Sequence, residues 1–159
     1  MKKLTVISVM FLLLFVMVSC TNNTPATEPE APESGTATPT QTQSVPTGIW
    51  ADADYTENTV LGEGSKTITV EVIAEGKSVI FTVKTDADTL GEALLQNKIV
   101  EGEMAQYGLY IKFANGIRAD YDLDGAYWGI TKNGEYLMTG ADTTKISDNE
   151  RYELTYTKG

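Results

Sequence analysis

Between residues 66 and 85 apolar and polar positions alternate. Thr69 and Glu71 separate Ile68, Val70 and Val72, and Ile80 and Thr82 separate Val79, Phe81 and Val83. A period of two marks a sheet with one face in a core. Residues 66–74 and 77–85 therefore predict two strands, joined by a tight turn at Glu75-Gly76. Upstream, Ala51, Ala53 and Tyr55 alternate with Asp52 and Asp54, so residues 49–61 read as extended. The period then changes. Thr89-Leu90-Gly91-Glu92 fits a capping box, in which the threonine hydroxyl and the glutamate satisfy orphan backbone donors reciprocally. Leu90, Ala93 and Leu94 follow at helical spacing, with an end expected near Asn97.

Strand signals resume after the helix. Leu109, Ile111 and Phe113 alternate, and Asn115-Gly116 is a two-residue hairpin turn. Residues 120–142 hold the densest aromatic cluster and a second such turn at Asn133-Gly134, and read as the central hairpin of the domain. Tyr152, Leu154 and Tyr156 close the sheet on one face. One helix among many strands predicts an α+β fold, β-grasp-like, with the helix packed on a mixed or antiparallel sheet over residues 48–159.

The first 47 residues follow other rules. Lys2 and Lys3 precede an apolar run over residues 4–18, shorter than the roughly 20 residues of a membrane-spanning helix. A charged start, a short apolar middle and small residues before a cleavage point describe a secretory signal peptide, residues 1–19. The run ends Met17-Val18-Ser19-Cys20, which resembles a bacterial lipobox with methionine where leucine is usual. Cys20 is then the lipidated first residue of a protein held on the extracytoplasmic face of the cell membrane. Residues 20–47 contain all five prolines and, apart from Val45, no large apolar side chain. They read as a disordered tether, of span on the order of 30 Å as a flexible coil.

Charge and composition narrow the function. Twelve Lys+Arg against 22 Asp+Glu give a net charge of −10, which argues against nucleic acid as a partner. With no histidine and one cysteine, Cys/His zinc sites and an internal disulfide are excluded, and nucleophilic triads lack their usual base. The residue set argues against an enzyme, and no cofactor is indicated. Asp120-x-Asp122-x-Asp124-Gly125 matches the opening half of a calcium loop, but Thr131 stands where the closing glutamate belongs. It reads as an acidic turn rather than a metal site.

The aromatic residues are the candidate chemistry. Tyrosine and tryptophan combine contact area with a polar handle and recur at binding surfaces. The candidate set is Tyr110, Tyr127, Trp128, Gly129 and Tyr136. The alternation is compatible with an outer face for the tyrosines, whereas Trp128 runs in phase with Ile130, toward the core. Gly129 lets a flat molecule approach the backbone, or else accommodates a neighbouring side chain.

Several spacings point to a family. Trp128, Asn133-Gly134, Gly140, Ile146-x-Asp148 and Tyr152-x-Leu154-x-Tyr156, with the earlier run 85–94, resemble the transcobalamin-like C-terminal domain that bacterial surface lipoproteins carry. The resemblance implies a β-grasp-like fold and a corrinoid or other planar ligand, presented to a transporter. The alternative is an adhesion or assembly module that contacts a surface polymer or a partner protein through its sheet. Lipidation has a direct test: Cys20→Ser should move the protein from the membrane fraction to the medium or leave it unprocessed. Normal processing with unchanged membrane retention would contradict it.

Overall fold

The structure, a computed structural model, describes residues 45–159. The expected signal peptide, Cys20 and the expected tether up to residue 44 lie outside the described residues. At the centre is the predicted hairpin, β2 (Lys66–Ala74) and β3 (Lys77–Thr85). Glu75 and Gly76 both take positive φ, 48° and 76°, as a turn matched to the twist of a hairpin requires. The register pairs Ile68 with Val83, Val70 with Phe81 and Val72 with Val79. All six side chains therefore share one face, and all are buried.

Against β2 lies the last strand, β9 (Arg151–Lys158), parallel to it. β9 also pairs antiparallel with β7 (Ala126–Lys132), and β7 with the two-residue β8 (Glu135–Tyr136). A short β1 (Thr59–Leu61) runs parallel to β3. The resulting six-stranded mixed sheet has the order β1-β3-β2-β9-β7-β8. The helix α1 (Leu90–Gln96) begins at the predicted capping box: Thr89 accepts from the Glu92 amide, and Glu92 accepts from the Thr89 amide. Leu90, Ala93 and Leu94 join Val70, Phe81, Tyr152 and Leu154 in one core cluster. Each such apolar side chain contributes roughly 1.5–3 kcal/mol by leaving water. The α+β class read from the periodicities is the class observed, with a second helix of one turn, α2 (Tyr121–Asp124).

Three details differ from the sequence reading. Residues 49–61 are not extended throughout. Gly48–Asp52 is a 3-10 turn, and only Thr59–Leu61 pairs as a strand. Trp50 drives the difference: its buried indole donates Nε1–H to the Ala74 carbonyl at 2.9 Å, plugging the 3-10 turn into the end of β2. Second, not all strands share one sheet. β4 (Val100–Ala105), β5 (Gly108–Ala114) and β6 (Ile117–Arg118) form a separate three-stranded sheet. Third, residues 120–142 are not central. β9 inserts between β2 and β7, which leaves β8 at an edge. The Asn133-Gly134 turn itself forms, with φ of 52° and 83°.

Trp50 supplies a measurable consequence. Removing a buried aromatic ring costs about 3–5 kcal/mol, so Trp50→Ala should lower the urea midpoint of the full chain accordingly. A loss below about 1 kcal/mol, within the range of a surface change, would show that the 3-10 turn is not part of the core.

Candidate functional site

The strand β7 sorts its residues by alternation. Trp128 faces Tyr156 across the β9 pairing and is buried, its ring meeting that tyrosine edge-on at 5.8 Å and 78°. Its Nε1–H has no partner among the described residues. Tyr127 and Gly129 point to the opposite, outer face. Tyr136 reaches the same face from β8, opposite Thr131. Its phenol lies over Gly129: a Cβ on that glycine would stand 2.5 Å from the tyrosine oxygen. Gly129 thus makes room for a neighbouring side chain. The Tyr136 ring is 58% exposed, while its oxygen end is tucked in. Burial, and then the adjacent Tyr127 hydroxyl, push that phenol above its ordinary value.

Tyr110 stands apart, on β5 of the other sheet. Its hydroxyl accepts the Tyr121 amide at 3.0 Å, and Lys112 Nζ lies 5.7 Å from its ring centre. Of the five candidates, the fold brings Tyr127, Gly129 and Tyr136 together and places Trp128 and Tyr110 elsewhere. A groove of about 420 Å³ lined by Lys132, Asn133, Glu135, Tyr136 and Leu137 adjoins the tyrosine pair.

The run of aspartates is put to structural use. Asp120 caps α2 by accepting the Asp122 amide at 3.1 Å, and Lys112 Nζ lies 3.5 Å away. Asp124 takes Arg118 in two bonds, each 2.8 Å, and the Asp120 amide at 3.2 Å. Arg118 first, then that amide, hold the Asp124 carboxyl below its ordinary value. Among the described residues, no three His, Cys, Asp or Glu side chains converge as metal ligands.

Two further networks grip β9. On the outer face Arg151 sits between Glu71 and Glu153, and Thr131 donates to Glu153 at 2.9 Å. On the other side Glu150 accepts from Lys132 at 2.6 Å, the Tyr152 hydroxyl at 2.5 Å and the Ser147 amide at 2.9 Å. Burial opposes ionisation of Glu150, but Lys132, Tyr152 and Ser147 together outweigh it and keep the carboxyl below its usual range. Burial, and then Glu150, push the Tyr152 phenol up.

A second cleft, of about 320 Å³, was not foreseen from the sequence. Ile49, Asp52, Phe113, Arg118, Asp124 and Tyr156 all face it. They come from five separate segments, and no spacing in the sequence connects them.

Comparison with known proteins bears on this geometry. Residues 87–158 match a family described as "Domain of unknown function (DUF4430)". A crystal structure from Ruminococcus gnavus, of a protein to which metal binding is ascribed, is 42% identical with a TM-score of 0.57. That match covers 60% of this chain and 99% of the other. Haptocorrin in complex with Cbi is a looser likeness, at 21% identity and a TM-score of 0.48, over 58% of this chain and 25% of that one. No curated protein matches.

The Glu150 network makes stability depend on pH. Its folded value lies below the ordinary 4.5, so its contribution is present above that pH and is lost as pH falls through the folded value. Glu150→Gln should cost about 1–2 kcal/mol at pH 7, with the gap to the native chain closing below pH 4. Urea unfolding at the two pH values checks this, and a pH-independent gap would contradict it.

Proposed function

The chain belongs to the same family as the Ruminococcus gnavus protein, and from that premise we propose that it is a bacterial surface lipoprotein presenting a small-ligand module. The anchor is Cys20, the spacer is residues 20–47, and the cargo is a planar solute, corrinoid-like or smaller, handed to a transporter. The observation that carries the reading is the Tyr136 ring. It is more than half exposed on an open sheet face, with its oxygen end fixed over Gly129 beside Tyr127. An aromatic ring held at one end and bare on its face is a stacking platform that needs little ordering on binding.

Size and metal bear on the cargo. A groove of about 420 Å³ lies at the small end of ligand pockets. A corrinoid-sized ring would lie across the face with most of its edge in solvent, which suits weak capture and easy release. The relative's ascribed metal binding accords with a ligand that carries its own chelated ion. The adhesion reading draws on the same face, where Thr69 and Thr82 pair across β2 and β3 and Thr155 stands opposite Ile73 on the parallel strand.

Cobalamin titrated into the detergent-solubilised full chain, followed by tryptophan fluorescence corrected for ligand absorbance, tests capture. Saturable binding, weakened about tenfold or more by Tyr136→Ala, a loss of roughly 1.4 kcal/mol, is expected. The absence of saturable binding up to millimolar cobalamin, with no small molecule copurifying with the native protein, would overturn capture in favour of a surface polymer.

A further inference from the structure

The second cleft is built by a hub that the function above does not use. Asn115 is 1% exposed at a hairpin turn, with φ of 50°, and Gly116 follows at 73°. Its side chain accepts the Tyr55 amide at 2.9 Å and donates to the Tyr55 carbonyl at 2.8 Å. Its backbone carbonyl takes the Asp54 amide at 3.1 Å, and its own amide reaches the Ile99 carbonyl at 2.7 Å. Three of these bonds hold Asp54 and Tyr55, directly after the 3-10 turn carrying Ile49 and Asp52, to the hairpin carrying Phe113 and Arg118, and the fourth ties that hairpin to Ile99. Gly116 lets the two approach: a Cβ there would lie 2.4 Å from the Asp52 carbonyl oxygen. The walls are therefore fixed before any ligand arrives.

The rim has a definite polarity. Asp124 takes the Nε and Nη2 donors of Arg118, each at 2.8 Å, which locks the guanidinium plane. Nη1 has no acceptor among the described residues, so a donor edge remains in a set orientation. The Asp52 carboxylate lines the same cleft and has no hydrogen-bond partner among the described residues. One cation between two carboxylates, in a chain of net charge −10, disfavours an anionic ligand. Phe113, Tyr156, Ile49 and Ile117 supply aromatic and aliphatic walls, and about 320 Å³ accommodates one or two fused rings.

We propose that this cleft binds a neutral planar lactam, a heterocycle with adjacent C=O and N–H groups on one edge. Arg118 donates to the carbonyl, Asp52 accepts from the N–H, and Phe113 and Tyr156 pack against the ring. No bond is made or broken. The site is separate from the Tyr136 platform, and its ligand chemistry is set by the donor–acceptor order of its rim.

Isothermal titration of the detergent-solubilised full chain with 2-quinolone tests the proposal, with N-methyl-2-quinolone as the probe whose N–H is blocked. Saturable binding of 2-quinolone is expected, at least tenfold tighter than its methylated form. Arg118→Lys, which keeps the charge but loses the fixed fork, should weaken it by tenfold or more. Asp52→Asn, at an exposed turn position, keeps an acceptor but loses the charge, and should also weaken it and narrow the preference for the unmethylated probe. This second variant carries the test if Arg118→Lys lowers the thermal midpoint. Equal binding of the two probes, binding unmoved by Asp52→Asn, or no binding of 2-quinolone up to its solubility limit would overturn the proposal.

Discussion

The fold depends on the double pairing of β9. The last strand lies parallel to β2 and antiparallel to β7, so its residues Tyr152, Glu153, Leu154 and Thr155 are fixed from both sides. Val70 meets Tyr152 and Val72 meets Leu154 in the parallel register, joining segments some eighty residues apart. Such non-local contacts are reached only after loop-closure entropy has been overcome, and they reward the chain late in folding. Charge reinforces the seam. Arg151 on one face and Glu150 on the other tie β9 to β2 and β7 respectively. Because these side chains are only partly exposed, their attraction is less screened than that of a surface pair.

Much of this was legible because it is local. The capping box needs only residues 89–92, and it formed with both reciprocal bonds. The turns Glu75-Gly76, Asn115-Gly116 and Asn133-Gly134 each place two successive residues at positive φ, which glycine accepts freely and asparagine at small cost. Alternation in β2 and β3 specified both the strands and their buried face. Trp50 was not legible, since Ala51, Ala53 and Tyr55 imitate a strand and nothing local says that an indole will dock on the Ala74 carbonyl. The splitting of the strands into two sheets, and the central place of β9, are decided by tertiary pairing between remote segments.

The candidate site was legible to the same degree. Alternation along β7 sorts Tyr127 and Gly129 from Trp128, and the Asn133-Gly134 turn returns Tyr136 to the Tyr127 side. Tyr110 has the same composition signal but a different role, because its hydroxyl holds the start of α2. Aspartates 120 and 124 look like metal ligands in one dimension. In three dimensions one caps a helix and the other clamps a guanidinium. Arg118 carried no motif at all, although the Asn115-Gly116 turn beside it was legible as a hairpin turn.

The two faces of the β7–β9 pair meet at Trp128. Its ring packs edge-on against Tyr156, which lines the inner cleft, while its chain neighbours Tyr127 and Gly129 serve the outer face. The indole N–H has no partner among the described residues, and such an orphaned donor costs about 1–3 kcal/mol. Burying roughly 200 Å² of ring contributes on the order of 5 kcal/mol in the other direction. The ring term wins, so the strand keeps a large rigid side chain where the two surfaces share a backbone. That rigidity is what a scaffold with an exposed tyrosine on one side and a fixed guanidinium on the other requires. A ligand at either proposed site would then meet groups already in place, and little of its binding energy would go into ordering them.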